Sequence, residues 1–179
     1  LTTLTIFIAA LTSLLTGSDR DECLTYVMEP GKRLQGIEAK PRLKLRPRDR
    51  DFFTETVQSL NFDALAAKPD AVLENESQKH IKNNAALLLN RLKNNFETQE
   101  QLLGFGIFLM TRCFLVVVST PSQQSAFRVF SVLNNRGLDL LPSDIIKAEA
   151  IGKIAESKRD GFNDRWEEIE VDTGRDGLN

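Results

Sequence analysis

The first fifteen residues, Leu1 to Leu15, constrain the fold most, because their apolar side chains would cover most of the circumference of a helix. Thr2 or Thr3 can cap this helix, and Gly17 can end it. Such a helix needs neighbours on several sides, which indicates a bundle. It is shorter than the roughly 20 apolar residues that span a bilayer, and it lacks the basic start of a signal peptide. It also lacks an initiating Met, so we expect the natural chain to begin further upstream.

Amphipathic spacing predicts further helices along the chain. Ile81, Ala85 and Leu92 recur at helical intervals within 77–96. Thr98 and Gln101 form a capping-box pattern at the start of a helix over 98–110. The remaining predicted helices cover 21–28, a segment from Asp49 or Asp51 through Leu60, segments opened by Pro121 and Pro142, and 162–169, whereas 61–76 is predicted to be a loop with one helical turn.

A basic segment separates the second and third predicted helices. Period-two spacing within a strand places its basic residues on one face and Leu43 and Leu45 on the other. Flanking prolines confine this strand to roughly 42–46, at a sheet edge. The apolar run Cys113–Val118 predicts a buried strand and is the expected pairing partner. The basic residues at every second position are Lys40, Arg42, Lys44, Arg46, Arg48 and Arg50.

The predicted fold class is therefore mainly α: a helical bundle with a small two-stranded β-ribbon. An architecture of this kind can form the α-helical part of an α+β domain. At 179 residues the chain fits one domain or one large piece of a larger protein, so we treat 1–179 as a single-domain fragment. No internal repeat or low-complexity segment divides it.

Charge is strongly segregated along the chain. From Lys32 to Arg50 there are eight basic and two acidic residues, a local charge of +6, although the whole chain carries −2. Clustered cations can bind the phosphates of a DNA backbone. Lysine and arginine on an edge strand also prevent aggregation between sheets, and the absence of interleaved aromatic residues argues against base stacking. Both interpretations, a phosphate-binding stripe and a solvated face, stay open at this point.

Metal chemistry and cysteine chemistry have little support. Cys23, Cys113 and His80 are the only residues of their types and lie too far apart to form a zinc-ligand pattern. Nothing in the sequence places either thiol beside the imidazole. Two isolated cysteines are typical of free thiols in a reducing compartment. We therefore predict no metal site, two free thiols and a cytoplasmic location.

The turn Asn134-Asn135-Arg136-Gly137 is the most distinctive local pattern. One interpretation is a helix C-cap, with Gly137 in the left-handed conformation and the asparagines bonded to the last carbonyls. In the other, Arg136 offers its forked guanidinium to a phosphate. Asp144 and Lys147 lie three residues apart on the next helix, where they form an intrahelical pair or Asp144 holds Arg136.

The stretch 126–147 contains a Phe, a Leu-Asn-x-Arg-Gly-x-x-Leu turn and a helix with an Asp-hydrophobic-hydrophobic-Lys pattern. It resembles the N-terminal, GmrS-like domain of GmrSD-type restriction endonucleases, also catalogued as domain of unknown function 262. The opening Leu1–Ile6 resembles the segment after that family's Asp-Gly-Gln-Gln-Arg motif, which is absent here. The resemblance covers nearly the whole chain, with a poor match over 61–76.

The resemblance implies a prokaryotic, cytoplasmic protein that restricts foreign or modified DNA. It implies an upstream ParB-like region that hydrolyses a nucleoside triphosphate, with a divalent cation as a possible cofactor in the full-length protein. It also implies a His-Asn-His nuclease in a further domain or subunit, and no membrane partner. Because neither chemical region is present, no catalytic residue carries over, and we expect this chain alone to be inactive without a cofactor of its own.

Two functions therefore follow from the sequence. In the first, the chain is the helical portion of a nucleotide-dependent restriction protein. In the second, it is a non-enzymatic module that binds nucleic acid or protein through residues 40–50. For the first function, the residues expected nearest the nucleotide are Asn134, Asn135, Arg136, Asp144 and Lys147.

Overall fold

The computed structural model describes residues 1–117, 119–121, 125, 129 and 142–173. The chain divides into two compact units, Leu1–Phe114 and Leu115–Asn179. In the described residues the structure is mainly helical, with a two-stranded antiparallel ribbon, as the sequence predicts.

The elements of the first unit follow one another closely. Its helices and strands are α1 (Thr2–Leu14), α2 (Gly17–Leu24), β1 (Met28–Glu29), β2 (Lys40–Pro41), α3 (Pro47–Phe53), a π-helix (Thr54–Gln58), α4 (Phe62–Ala67), α5 (Glu76–Asn95) and α6 (Gln99–Arg112), with 3₁₀ turns at Arg33–Gln35 and Asp70–Val72.

Helix α1 is the centre of the first unit. Ile6, Ala9, Ala10 and Leu11 are fully buried, and α1 packs against α2, the π-helix, α5 and α6. This confirms that the apolar N-terminal helix has neighbours on several sides. The predicted threonine cap is wrong, because Leu1 occupies the N-cap position and no side chain caps the helix.

Helices α5 and α6 close the core around α1. The predicted capping box is present: the Thr98 hydroxyl accepts from the backbone N–H of Gln101, whose side chain accepts from the Thr98 N–H. The Phe105 ring on α6 stacks on Phe96 at 4.8 Å and meets Phe7 of α1 edge-on at 5.8 Å. These contacts place the middle of α6 against the middle of α1.

The ribbon lies elsewhere than predicted. Met28 pairs with Pro41 and Glu29 with Lys40, so the second strand ends where the predicted strand 42–46 begins. Residues 43–46 have no regular secondary structure. The Leu43 carbonyl accepts a hydrogen bond from the Gln58 side chain, which occupies a position that a neighbouring strand would need.

The predicted strand at 113–118 is also wrong over its described residues. Positions 113–117 have no regular structure, and the side chains of 114–117 are 71 to 87% exposed. Val118 lies outside the described residues. The run is apolar enough to be a strand, but neither the basic segment nor another described segment pairs with it.

Three further boundaries differ from the predicted ones. Helix α2 begins at Gly17 rather than near 21, and α3 begins at Pro47, two residues before Asp49. Helix α3 then widens into the π-helix, which is followed by Leu60 in the left-handed region at φ +58°. The predicted loop 61–76 holds the six-residue α4 and a 3₁₀ turn.

The described part of the second unit contains α7 (Pro142–Lys153) and α8 (Glu156–Thr173), which contact each other. Pro142 opens α7 as predicted, and α8 is longer than the predicted 162–169. The rings of Phe162 and Trp166 lie 5.7 Å apart on α8. The predicted helix beginning at Pro121 lies almost entirely outside the described residues.

Candidate nucleic-acid interface

The basic residues Lys40, Arg42, Lys44, Arg46, Arg48 and Arg50, here called the basic stripe, are all exposed in the first unit. Leu43 and Leu45 between them are half-buried against the core cluster. The predicted separation of charged and apolar side chains is therefore present over 40–46, although only its first two residues form a strand. Packing of the two leucines keeps the intervening basic side chains turned toward solvent.

Hydrogen bonds hold the backbone of the stripe in place. The Arg42 N–H donates to the Val27 carbonyl at 3.0 Å, and the Arg42 Nε donates to the Thr25 carbonyl at 2.5 Å. The Gln58 Nε2, from a side chain only 1% exposed, donates to the Leu43 carbonyl at 2.9 Å. Because a buried amide is costly to leave without partners, this bond fixes the path of the chain.

Asp49 anchors the far end of the stripe. It is 3% exposed, and its Oδ2 accepts from the Arg46 Nε at 2.6 Å. Its Oδ1 accepts from the Asn75 Nδ2 at 3.0 Å, and the Asn75 Oδ1 caps α5 by accepting from the Gln78 N–H. The Arg46 Nη2 also donates to the Ser77 hydroxyl at 2.7 Å. One carboxylate therefore connects the stripe, α3 and the start of α5.

The six cations differ in their partners. Lys40 pairs with Glu29 at 3.1 Å, an exposed contact of the kind that contributes little. Arg46 is neutralised by Asp49. Arg42 and Arg50 donate to carbonyl oxygens, which orient the guanidinium groups without cancelling their charge. Within the part of the chain that the structure describes, Lys44 makes no hydrogen bond or ion pair. Arg42, Lys44 and Arg50 are therefore the cations best placed to meet an anion.

Three residues that hold the stripe in place through hydrogen bonds were not among the predicted site residues: Asp49, Asn75 and Gln58. The residue pattern offers one signal for Asn75. An Asn three residues before Gln78, at the start of an amphipathic run, is typical of a helix N-cap. The contact of Asn75 with Asp49 spans 26 positions and has no local signature.

The predicted nucleotide-proximal residues are only partly described. Asn134, Asn135 and Arg136 lie outside the described residues, and so does the Asp144 side chain, although its backbone belongs to α7. The Lys147 Nζ lies 6.0 Å from the centre of the Trp166 ring, within the range of a cation–π contact. Their grouping around a nucleotide stays a prediction.

The thiols are structurally distinct. Cys23 is buried with its Sγ 3.1 Å from the Thr12 hydroxyl, and burial raises the pKa of this thiol above its ordinary value. Cys113 is exposed. Among the described residues there is no group of three or more potential metal ligands, and no described helix is long and apolar enough to cross a membrane.

The first unit is therefore mainly helical and exposes the basic stripe on its surface. The family model for the N-terminal domain of GmrSD restriction endonucleases matches residues 1–151. The chain therefore belongs to the GmrSD N-terminal domain family, which connects it with restriction endonucleases and with DNA. The same comparisons found no match among curated proteins or solved structures.

Proposed function

We propose that this chain is the helical portion of a nucleotide-dependent DNA-restriction protein and supports control of a nuclease by nucleoside triphosphate. The observation that carries the proposal is the family match over 1–151, which includes the turn at 134–137. In the complete protein, a ParB-like region would hydrolyse the nucleotide with a divalent cation, and a nuclease domain or subunit would cut DNA in the cytoplasm. The chain itself would supply neither the Asp-Gly-Gln-Gln-Arg motif nor the His-Asn-His motif.

Arg136 is the proposed contact between the helical portion and the nucleotide. A guanidinium presents several donors in a fixed plane and matches the oxygens of a phosphate. Asn134 and Asn135 precede it in a turn that a glycine ends, so their amides can fix its direction. Asp144 and Lys147 follow on α7, and the proposed role of the Asp144 carboxylate is to orient Arg136.

The test replaces Arg136 by Ala in the complete protein and measures nucleotide hydrolysis and DNA cleavage separately. We expect both rates to fall by about tenfold or more, as for the loss of a group that stabilises phosphate charge. The control is Arg165→Ala, an exposed arginine on α8, which should leave both rates unchanged. Normal hydrolysis and normal cleavage by a folded Arg136→Ala protein would contradict the proposal.

A second candidate function, binding of nucleic acid by the basic stripe, is favoured by the exposure of Arg42, Lys44 and Arg50. Their charges are not cancelled by carboxylates of the described residues, and their backbone is held by internal hydrogen bonds. A row of oriented cations binds backbone phosphates with little dependence on sequence. This function does not require an Asp-Gly-Gln-Gln-Arg motif, so the chain alone can test it.

The test compares two triple variants in binding to a duplex DNA oligonucleotide at several salt concentrations. Arg42→Gln, Lys44→Gln and Arg50→Gln together should weaken binding at low salt about tenfold and reduce the salt slope by about 0.9 per lost phosphate contact. The matched control removes the same charge from exposed positions near or on α5: Lys68→Gln, Arg91→Gln and Lys93→Gln. Equal losses in both variants would show that net charge, and not the stripe, governs binding.

A further inference from the structure

The first unit contains an open groove of about 350 Å³ between α2 and α6, on the side of α1 where Leu15 ends the helix. Both α2 and α6 pack on α1. Gly106 lies at the base, and a Cβ there would approach the Leu11 side chain at 3.5 Å.

The groove is formed by one regular face of each helix. On α6, Leu103, Ile107 and Met110 recur at helical spacing and line it. The adjacent face of α6 packs in the core through Leu102 and Phe105. The apolar surface of α6 thus continues from the core into the groove, where Leu103 and Met110 are half-buried and Ile107 is 55% exposed. An additional apolar face at this spacing is the pattern that a further helix covers.

The α2 wall of the groove is acidic. Asp19 and Glu22 line it, on the same helical face as the buried Cys23 and the half-exposed Tyr26, and no basic residue lines the groove. Within the described residues neither acid forms an ion pair. Asp19 suits the first turn of α2, but Glu22 lies in the last turn, where the helix dipole disfavours a negative charge. The stability of α2 therefore does not explain Glu22.

We propose that this groove is the docking site for an amphipathic helix of a partner protein, with an apolar stripe flanked by Lys or Arg. The apolar stripe would cover Leu103, Ile107 and Met110, and the flanking cations would pair with Asp19 and Glu22. A groove between two helices accepts a third helix at an ordinary packing distance of about 8–10 Å. Helix α6 is about 21 Å long at 1.5 Å per residue, so a partner helix of three to four turns, or about 14 residues, would match it.

The experiment uses two fluorescent peptides of about 14 residues with the same amphipathic leucine pattern, one with lysines and one with glutamates on the polar face. Anisotropy should show that the lysine peptide binds the chain about tenfold more tightly than the glutamate peptide. Asp19→Asn with Glu22→Gln should remove that preference. The control pair Asp51→Asn with Glu55→Gln, exposed acids on α3 and the π-helix, should keep it.

A matched pair of variants tests the apolar contact. Ile107 and Leu87 are 55% and 54% exposed, and each lies on a long helix, but only Ile107 lines the groove. Ile107→Gln should weaken binding of the lysine peptide about tenfold, and Leu87→Gln should leave that binding unchanged. In a Cys113→Ser background, the bound peptide should also slow alkylation of Cys23.

Four outcomes would overturn the proposal. Equal binding by Ile107→Gln and Leu87→Gln, or unchanged alkylation of Cys23 at saturating peptide, would place the peptide elsewhere on the surface. Equal binding of both peptides would show that Asp19 and Glu22 do not contribute to recognition. Concentration-dependent self-association in sedimentation, lost in Ile107→Gln, would identify a second copy of this chain as the occupant.

Discussion

Replacing Phe53 by alanine is expected to lower the free energy of unfolding of the first unit by about 3 to 5 kcal/mol. Phe53 is fully buried and is the largest of the completely enclosed side chains in the described core. It closes α3 and directly precedes the π-helix, so its ring lies where the path of the chain changes. Removing the ring creates a cavity that the surrounding helices can fill only in part, because α1 and α5 pack on the same cluster.

Urea denaturation followed by circular dichroism measures this effect. The neighbouring Phe52 is a matched control, because it is only half-buried at the edge of the same cluster. Phe52→Ala should lower the free energy of unfolding by a smaller amount, about 1 to 2 kcal/mol. A loss below about 1.5 kcal/mol for Phe53→Ala, with an unchanged denaturant slope, would mean that the site collapses around the missing ring and that the core is less rigid than its packing indicates.

The helices of the first unit were predictable because their signals are local. The periodic apolar residues of α5 and the Thr98–Gln101 capping box of α6 fix those helices within a few positions of the observed bounds. The apolar circumference of α1 predicted burial on several sides, which its packing confirms. Each of these features depends on residues within one or two helical turns of each other.

The strands were not predictable in the same way, because pairing joins residues that are distant in sequence. The period-two pattern over 42–46 correctly predicted which side chains face solvent, but the same alternation occurs without a strand. The side chain of the buried Gln58 donates a hydrogen bond to the Leu43 carbonyl, and no periodic pattern in the sequence predicts this bond. The apolar run at 113–117 has the composition of a strand and no described partner, so composition alone gave a wrong assignment.

The candidate site likewise contains residues that the sequence predicts and residues that only the fold brings together. Its cations were visible in the sequence, because charge and spacing are local. The groups that hold them, Asp49, Asn75 and Gln58, act through hydrogen bonds that the fold assembles. In the sequence, Asp49 is visible only as one negative charge within a basic run. In the structure, its carboxylate accepts hydrogen bonds from Arg46 and Asn75.

This role of Asp49 leads to the second large effect. Asp49→Asn is expected to destabilise the first unit by about 2 to 3 kcal/mol, because hydrogen bonds to a charged group are about twice as strong as neutral ones. The new amide keeps the volume but has one oxygen for two donors. If that oxygen accepts from the Asn75 Nδ2, its NH₂ faces the Arg46 Nε, and two donors oppose each other. Asp51→Asn, an exposed acid on the same helix, is the control and should change stability by less than about 0.5 kcal/mol.

The same variant separates two ways in which the basic stripe can bind DNA. Asp49→Asn and Asp51→Asn each remove one negative charge, so a flexible run of charge would bind DNA more tightly in both variants. If phosphate binding needs the cations held in their observed row, Asp49→Asn should instead bind more weakly than Asp51→Asn, because only Asp49 fixes Arg46 and the start of α5. We expect the second result when both variants are measured at one low salt concentration and well below their unfolding temperatures. Equally tighter DNA binding by both variants would contradict this expectation. The loss of one negative charge would then explain the binding, and the hydrogen bonds of Asp49 would play no part in it.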